Sequence, residues 1–553
     1  MKNPQPVARN YPSLINDIER GSIKIPQFQR EFVWELKKSV ELMDSIVKGY
    51  PIGTFIFWKT RERLRSLRDI GGLSLPEPPE GDFVELVLDG QQRITSLFAT
   101  LKGLKIKREG AKIDDFGEIY LDLSANEDER IVIWDITGKK HEDIIKLKTL
   151  LYGGLTELTA YPPHYHALIQ EYKKRIESYN FPIILIEEKT IDVATEIFTR
   201  INVSGTELTL FEIMVAKTFD PTRDFDLSDK FSELVDELRN VNYETISEAN
   251  ILHLIALVLK KECKRKIILQ LGKKEFIDSW EAAIDSIRSA IDYFRSYYRI
   301  PVSRLLPYNA LVVPFAYFFY KHPDKPTGNK QKYLEDFFWR SALSSRYSSS
   351  VEAKLAQDIK RIDLILDEKL PTYDWGIDTS PEFIENNGWF SVGRSYVKAI
   401  LCIYAYNEPK SFIDDARVNL SNDWLKQANS RNYHHFFPKA YLQKMGKSED
   451  EANNVLNITI VDDYLNKRKI GAKPPSEYMK EFKGKNIRIN ETLKTHLISD
   501  LDHFGIWDDD YKIFLRARAI EVGKELDKRL IKQDIDKQPQ PTFDDDYEEE
   551  EVE

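Results

Sequence analysis

The feature that most restricts the fold is a change of hydrophobic period along the chain. From about residue 208 to 425, apolar positions recur at helical spacing almost without a break, as in "LTLFEIMVAKTF", "ISEANILHLIALVLKK" and "KKEFIDSWEAAIDSIRSAIDYFRSYY". On either side the pattern alternates. Before this region, "YPSLINDIERG" and "WELKKSVELMDSIVKGY" have helical spacing. "TFIFWK" (54–59), "DFVELVLDG" (82–90) and "FPIILIEE" (181–188) have the short, β-branched and aromatic character of strands. After residue 430 a strand-like piece, a helix, another strand and another helix follow, closed by the helical "YKIFLRARAIEVGKELDKRL" (511–530). No repeat of 20–50 residues is present. A chain of 553 residues exceeds one ordinary core. The expected architecture is therefore multidomain α+β: an α/β domain over 1–215, a helical connecting region over 216–425, a further mixed domain over 426–535 and a tail over 536–553.

Composition narrows the class. With 42% hydrophobic and 12% aromatic residues the chain can bury substantial cores. Its two cysteines, Cys263 and Cys402, exclude a disulfide scaffold and a Cys-rich zinc module and fit a reducing cytoplasm. The opening "MKNPQPVARNYPSL" has no apolar signal core. The run "ALVVPFAYFFY" (310–320) is too short to span a bilayer, so it reads as a buried helix. A cytoplasmic protein without a membrane partner is expected. The net charge of −10 is concentrated at one end: the last ten residues hold eight acids, leaving −2 for the other 543. The tail reads as a disordered, solvating end, and the near-neutral body can carry a local basic groove.

In "LVLDGQQRITSL" (86–97) a strand runs into Asp89-Gly90 and a helix starts at once. Backbone N–H groups at a helix N-terminus carry partial positive charge and form an anion cradle. Gly90 permits close approach of a phosphate, and Arg93, one turn in, could add a charge-assisted fork. Gln91 and Gln92 supply neutral donors and acceptors. An Asp cap followed by a surface Gln-Gln-Arg turn accounts for the same residues. Two other stretches, "IPQFQREFVW" (25–34) and "FTRINVSGTELT" (198–209), are rich in groups that bind phosphate or base. No Walker A pattern occurs, which excludes a P-loop NTPase.

Of nine histidines, two are adjacent in "NYHHFFPKAYL" (432–442). Phosphodiester hydrolysis needs a base for water and a cation for the leaving oxygen. Neighbouring strand residues point to opposite faces, so His434 and His435 share a site only where a bulge or strand end re-aims one. A satisfied core pair is the structural alternative. His164 and His166, in "YPPHYH", read as a surface loop.

Four blocks in order, "IPQFQREFVW", "YPIGTFIFW", "LVLDGQQRITSL" and "EIFTRINVSGTELT", resemble the N-terminal domain of the GmrSD family of modification-dependent (type IV) restriction endonucleases. The resemblance implies a ParB/sulfiredoxin-like fold for the first domain. It also implies a nucleoside triphosphate, bound or hydrolysed at Asp89, Gly90, Gln91, Gln92 and Arg93, with Arg30 and Asn202 as further candidates. "HHFFPKAYL" and "NNVLNITIVDDYLNKRKIGAKPPSEYM" resemble that family's C-terminal ββα-metal (His-Me finger, HNH-type) nuclease domain. Carried over, His435 is the general base, Asn457 orients it, and His434 and Asn466 hold a divalent metal, Mg²⁺ or Mn²⁺. Lys467, Arg468, Lys469 and Lys473 are implied DNA contacts; Lys483, Lys485 and Arg488 are further basic candidates.

The expected function is thus a nucleotide-regulated, metal-dependent endonuclease acting on modified phage DNA. Assembly into a homo-oligomer is compatible with this reading. The alternative is a non-cleaving DNA- or nucleotide-binding regulator. The intact His435, Asn457 and Asn466 favour the enzyme.

Overall fold

The computed structural model describes residues 3–26, 32–61, 67–73, 75–77, 81–107, 113–126, 128–187, 193–194, 197, 200–201, 209–420, 433–461 and 470–538. The chain forms two compact units, Met1–Leu227 and Ser228–Glu553. Both helices and strands contribute, as the alternating periods require, and the larger sheet lies in the first unit.

That sheet has six strands in the order Gln5–Asn10, Asn180–Glu187, Phe55–Thr60, Val84–Asp89, Ile23–Pro26 and Leu67–Arg68. Two of the five neighbouring pairs are parallel, Asn180–Glu187 with Phe55–Thr60 and Ile23–Pro26 with Val84–Asp89. The register sets Val7 opposite Ile183, Leu185 opposite Phe57 and Trp58 opposite Leu86. The three strands expected from apolar runs are present within a residue or two of their expected ends. Gln5–Asn10, in contrast, is a polar edge strand with little burial.

Helices Tyr11–Glu19, Leu36–Val47 and Gln91–Lys102 contribute to the core of this unit. The first is capped by Asn10, whose side chain accepts from the Ser13 N–H at 3.1 Å. Gly103, at φ 64°, ends the third in the left-handed region, as its position after the last apolar residue suggests. This helix is less amphipathic than its sequence implies: ten of its twelve residues are buried. It packs against Leu36–Val47, the 3₁₀ turn Phe116–Glu118 and helix Leu147–Tyr152. Of its buried hydroxyls, that of Ser96 contacts Ser39, while those of Thr95 and Thr100 have no hydrogen-bond partner among the described residues.

The second unit is mainly helical. Lys273–Ser296 packs on Val312–Lys321, joined by stacked and edge-on rings of Phe294, Tyr298, Phe315 and Phe338. Residues Val312 to Phe319 are all buried, as expected for the 310–320 run. Pro314 is tolerated there because it lies in the first turn, where a missing N–H breaks no intrahelical bond. Among the described residues no helix is long and apolar enough to cross a membrane. The histidine segment forms a two-stranded antiparallel ribbon, Tyr433–His435 with Ile458–Ile460. Helix Pro475–Lys485 contributes Tyr478, Met479 and Phe482 to the same core, and the closing helix Tyr511–Asp527 packs along the turn Val455–Asn457.

Candidate functional site

In the first unit, strand Val84–Asp89 delivers Gly90 to the start of helix Gln91–Lys102. Gly90 has φ 91°, and a Cβ there would stand 2.4 Å from Cδ1 of Phe55. Both the left-handed backbone and the lack of space demand glycine. Gly90→Ala is therefore expected to destabilise this unit by about 2–4 kcal/mol, the sum of left-handed strain and overpacking. A thermal or urea midpoint unchanged from wild type would refute that.

The polar side chains that follow Gly90 are engaged within the protein. Arg93 donates from Nη1 to the Ile52 carbonyl at 2.8 Å and from Nη2 to the Thr54 carbonyl at 3.1 Å. Its Nη2 also meets Asp89 Oδ2 at 2.9 Å, and the guanidinium lies 5.2 Å from the Phe55 ring centroid. Gln92 Oε1 accepts from the N–H groups of Val33 and Trp34 at 2.9 and 3.2 Å, and its Nε2 donates to Gln91 Oε1 at 3.1 Å. Gln92 thus fixes the chain just after "PQFQRE", and Arg93 fixes the turn 52–54. The resemblance implies a nucleotide at these groups; in the structure Gln92 and Arg93 bond the neighbouring backbone beside the helix start. Asp89 retains one oxygen, Oδ1, without a partner among the described residues. Arg30 and Asn202 lie outside the described residues.

In the second unit His434 pairs with Thr459 and His435 with Ile458 across the ribbon. The two rings meet different neighbours, and His435 is the last residue of its strand, where alternation can give way. His434 is 2% exposed, and Nδ1 lies 3.0 Å from Thr459 Oγ1. That hydroxyl also lies 3.3 Å from the His434 carbonyl oxygen. With the hydroxyl donating to that carbonyl, Nδ1 carries the hydrogen and Nε2 a lone pair; with the hydroxyl turned to Nδ1 the two are exchanged. Nε2 is buried and has no hydrogen-bond partner among the described residues. Burial first, then the nearby His435, His496 and Arg518, push the His434 pKa down to about 3, so the ring stays neutral.

The His435 tautomer is set by its partner. Its Nε2 lies 3.1 Å from Oδ1 of Asn453, whose Nδ2 donates to the Phe390 carbonyl at 2.9 Å and so fixes the amide orientation. Nε2 is the donor and Nδ1 bears the lone pair. Burial pushes the His435 pKa down to about 4, with the Asn453 bond acting against that shift. Asn453 was not singled out from sequence, although it stands in the quoted "NNVLN"; adjacent asparagines before a strand were the available signal.

Asn457, fully buried, makes no hydrogen bond to either ring. Its Oδ1 accepts from Phe437 N–H at 2.8 Å, and its Nδ2 donates to the carbonyls of Phe437 and Ala452 at 3.0 and 3.1 Å. Its own carbonyl accepts from Phe436 N–H at 2.7 Å. The residue therefore ties the chain leaving His435 to the turn entering the second strand. Helices brace that turn from behind: Tyr404 donates to the Val455 carbonyl at 3.2 Å and Arg518 Nη1 to the Leu456 carbonyl at 2.7 Å. Arg518 is wholly buried, and its charge rests against the face of Tyr404 at 4.4 Å.

Asn466, Lys467, Arg468 and Lys469 lie outside the described residues. Lys473 is within them and forms ion pairs with Glu477 and Glu481 at 3.7 and 3.4 Å. Of the further basic candidates, Lys485 pairs with Glu481 and Arg488 with Asp415, while Lys483 lies over the Trp507 ring. Among the described residues no group of three or more His, Cys, Asp or Glu side chains is arranged to hold a metal ion. His434 Nε2 is buried without a hydrogen-bond partner among the described residues, and with the hydrogen on Nδ1 its lone pair would be open to a cation.

Comparison with known proteins bears on both units. An uncharacterized protein of Methanocaldococcus jannaschii is 25% identical over 566 aligned positions, covering 89% of this chain and 92% of that protein. Residues 12–219 match the family model described as the GmrSD restriction endonuclease N-terminal domain, a span that contains the strand, Gly90 and the clamped helix start. Over residues 12–219 the chain therefore carries a domain similar to the N-terminal domain of the GmrSD restriction endonucleases.

Proposed function

We propose that the chain is a metal-dependent DNA endonuclease of the restriction type, acting on modified DNA under nucleotide control. The observation that carries the reading is the His435 tautomer, in which Asn453 holds Nε2–H and leaves Nδ1 free to accept a proton. A ring held at about 4 is neutral at pH 7, as a general base must be. An approaching phosphodiester anion raises that value, so proton affinity grows where substrate binds. Nδ1 of His435 then takes the proton from the attacking water. Asn457 keeps the strand end at a fixed angle, and Asn453 keeps the ring from turning. A divalent cation held by His434 and Asn466 would supply positive charge to the leaving oxygen. Imidazole ligation favours Mn²⁺ over the harder Mg²⁺. Lys467, Arg468, Lys469 and Lys473 would contact backbone phosphates.

The first domain would have the ParB/sulfiredoxin-like fold and take a nucleoside triphosphate at Asp89, Gly90 and the first-turn amides of the following helix. Gln91, Gln92 and Arg93 hold that site's walls, and Arg30 and Asn202 would complete it. The similarity of residues 12–219 to a restriction endonuclease domain supports DNA as the target.

The test is incubation of the full chain with supercoiled plasmid, modified and unmodified, varying divalent metal and nucleoside triphosphate. Metal-dependent nicking, absent in His435→Ala, is the expected result. DNA binding without cleavage in any arm would establish the non-cleaving regulator instead.

A further inference from the structure

A hollow of about 430 Å³ lies in the second unit, among the end of helix Gly328–Ala342, the start of helix Val351–Leu366, the segment 374–378 and the C-terminal turn Asp534–Lys537. None of its lining residues belongs to the histidine ribbon or to the helix start in the first unit. Its volume lies within the ~300–1,000 Å³ range of small-molecule sites.

The walls are held by two buried arginine–aspartate systems. Arg340 grips Asp536 with Nη1 and Nη2 at 2.8 and 2.7 Å and Asp336 with Nε at 3.1 Å, which pins the C-terminal turn. Asp536 also accepts from the Ile377 N–H at 2.9 Å, which fixes the opposite segment. Arg346 is 7% exposed. Its Nε and Nη2 each bond Asp358 at 3.0 Å, and Nη2 also reaches Gln357 at 2.8 Å. Nη1 of Arg346 has no partner among the described residues, and the guanidinium lies 4.4 Å from the Trp375 ring centroid on the cavity wall. Trp375 is fixed in turn by Nε1–H donated to the Arg340 carbonyl at 3.1 Å. Buried ion pairs are weak evidence for stability. Here two of them immobilise one open donor, which is how a binding site is preorganised.

The charges select the ligand class. Arg346 and Lys354 line the hollow, and so do Asp374 and Asp378. Two cations against two carboxylates make a poor trap for a free phosphate. Asp378 uses Oδ1 to accept from the Ser380 N–H at 2.7 Å and has Oδ2 without a partner among the described residues. Arg346 and Asp378 thus bring an unpartnered N–H donor and an unpartnered carboxylate oxygen to the lining, beside apolar walls from Ile377, Phe383 and Ile535.

We propose that this cavity binds a nucleobase-class heterocycle, a flat ring whose polar edge carries both a carbonyl acceptor for Arg346 Nη1 and an amino or imino donor for Asp378 Oδ2. A free nucleoside and a base turned out of a DNA strand present the same edge. The proposal does not depend on cleavage by the histidine ribbon.

The test is titration of the intact chain with adenosine, guanosine, cytidine and thymidine, and with a DNA hairpin carrying one mismatched base, read by calorimetry. Asp378→Asn keeps the Ser380 cap and turns the free acceptor into a donor; Ser345→Phe fills the hollow. At least one nucleoside, or the hairpin in preference to its fully paired form, is expected to bind, tenfold or more weaker in both variants. Binding of the nucleoside alone assigns a free metabolite, and binding of the hairpin assigns an extruded base. No binding by any of these probes, or binding that both folded variants leave unchanged, overturns the assignment.

Discussion

Replacing His435 by alanine is expected to reduce DNA cleavage by ~10²–10⁴-fold, the usual contribution of a general base, with affinity for DNA changed less than about twofold. The asymmetry follows from the geometry. The His435 ring bonds the Asn453 amide, so its loss removes a proton acceptor and one hydrogen bond, while the ribbon retains its backbone pairing. Single-turnover cleavage and equilibrium binding on the same preparation separate the two effects. An equal fall in both would mean that His435 holds DNA or the fold. Asn453→Ala is the companion variant: it leaves the base present but free to rotate, and its loss of rate should be smaller than that of His435→Ala.

Asn457→Ala is expected to destabilise the second unit strongly. It strands the Phe437 N–H and the carbonyls of Phe437 and Ala452, all in a region sealed from water. Each unsatisfied buried group costs ~1–3 kcal/mol, so a loss of about 3–5 kcal/mol is expected, near the upper limit for point substitutions. Denaturant unfolding of the full chain, followed on the transition of this unit, measures it. A loss below about 1 kcal/mol would show that the turn is held by Tyr404 and Arg518 and that the asparagine is incidental. Cleavage in this variant should fall even where the protein remains folded, because Phe437 lies two residues beyond the base.

Much of the first unit was legible from local pattern. Strands Phe55–Thr60, Val84–Asp89 and Asn180–Glu187 are apolar runs bounded by turn residues, and each lies within a residue or two of its expected ends. Strand Gln5–Asn10 was not legible: it is largely exposed and has no apolar alternation. Its pairing with Asn180–Glu187 depends on a partner some 170 residues away. The candidate site divides in the same manner. His434, His435 and Asn457 stand out by residue type and spacing, but Asn453 matters through one hydrogen bond, which leaves no mark in a sequence. Arg518 occurs in "FLRARAIEV", a stretch that reads as an ordinary charged helix, yet it is wholly buried against Tyr404.

The sequence by itself determined the elements: helical period through the middle, strand and helix alternation at both ends, glycine at position 90 and paired histidines before a proline. These follow from short-range sterics and hydrophobic spacing, which act within a few residues. Only the tertiary structure decided what the polar groups do. It turned Gln92 and Arg93 inward as clamps, set the two histidines against different hydrogen-bond partners, and gave Asn457 to the backbone. Those outcomes depend on which buried donor meets which acceptor, because a polar atom removed from water must find a partner within about 3 Å.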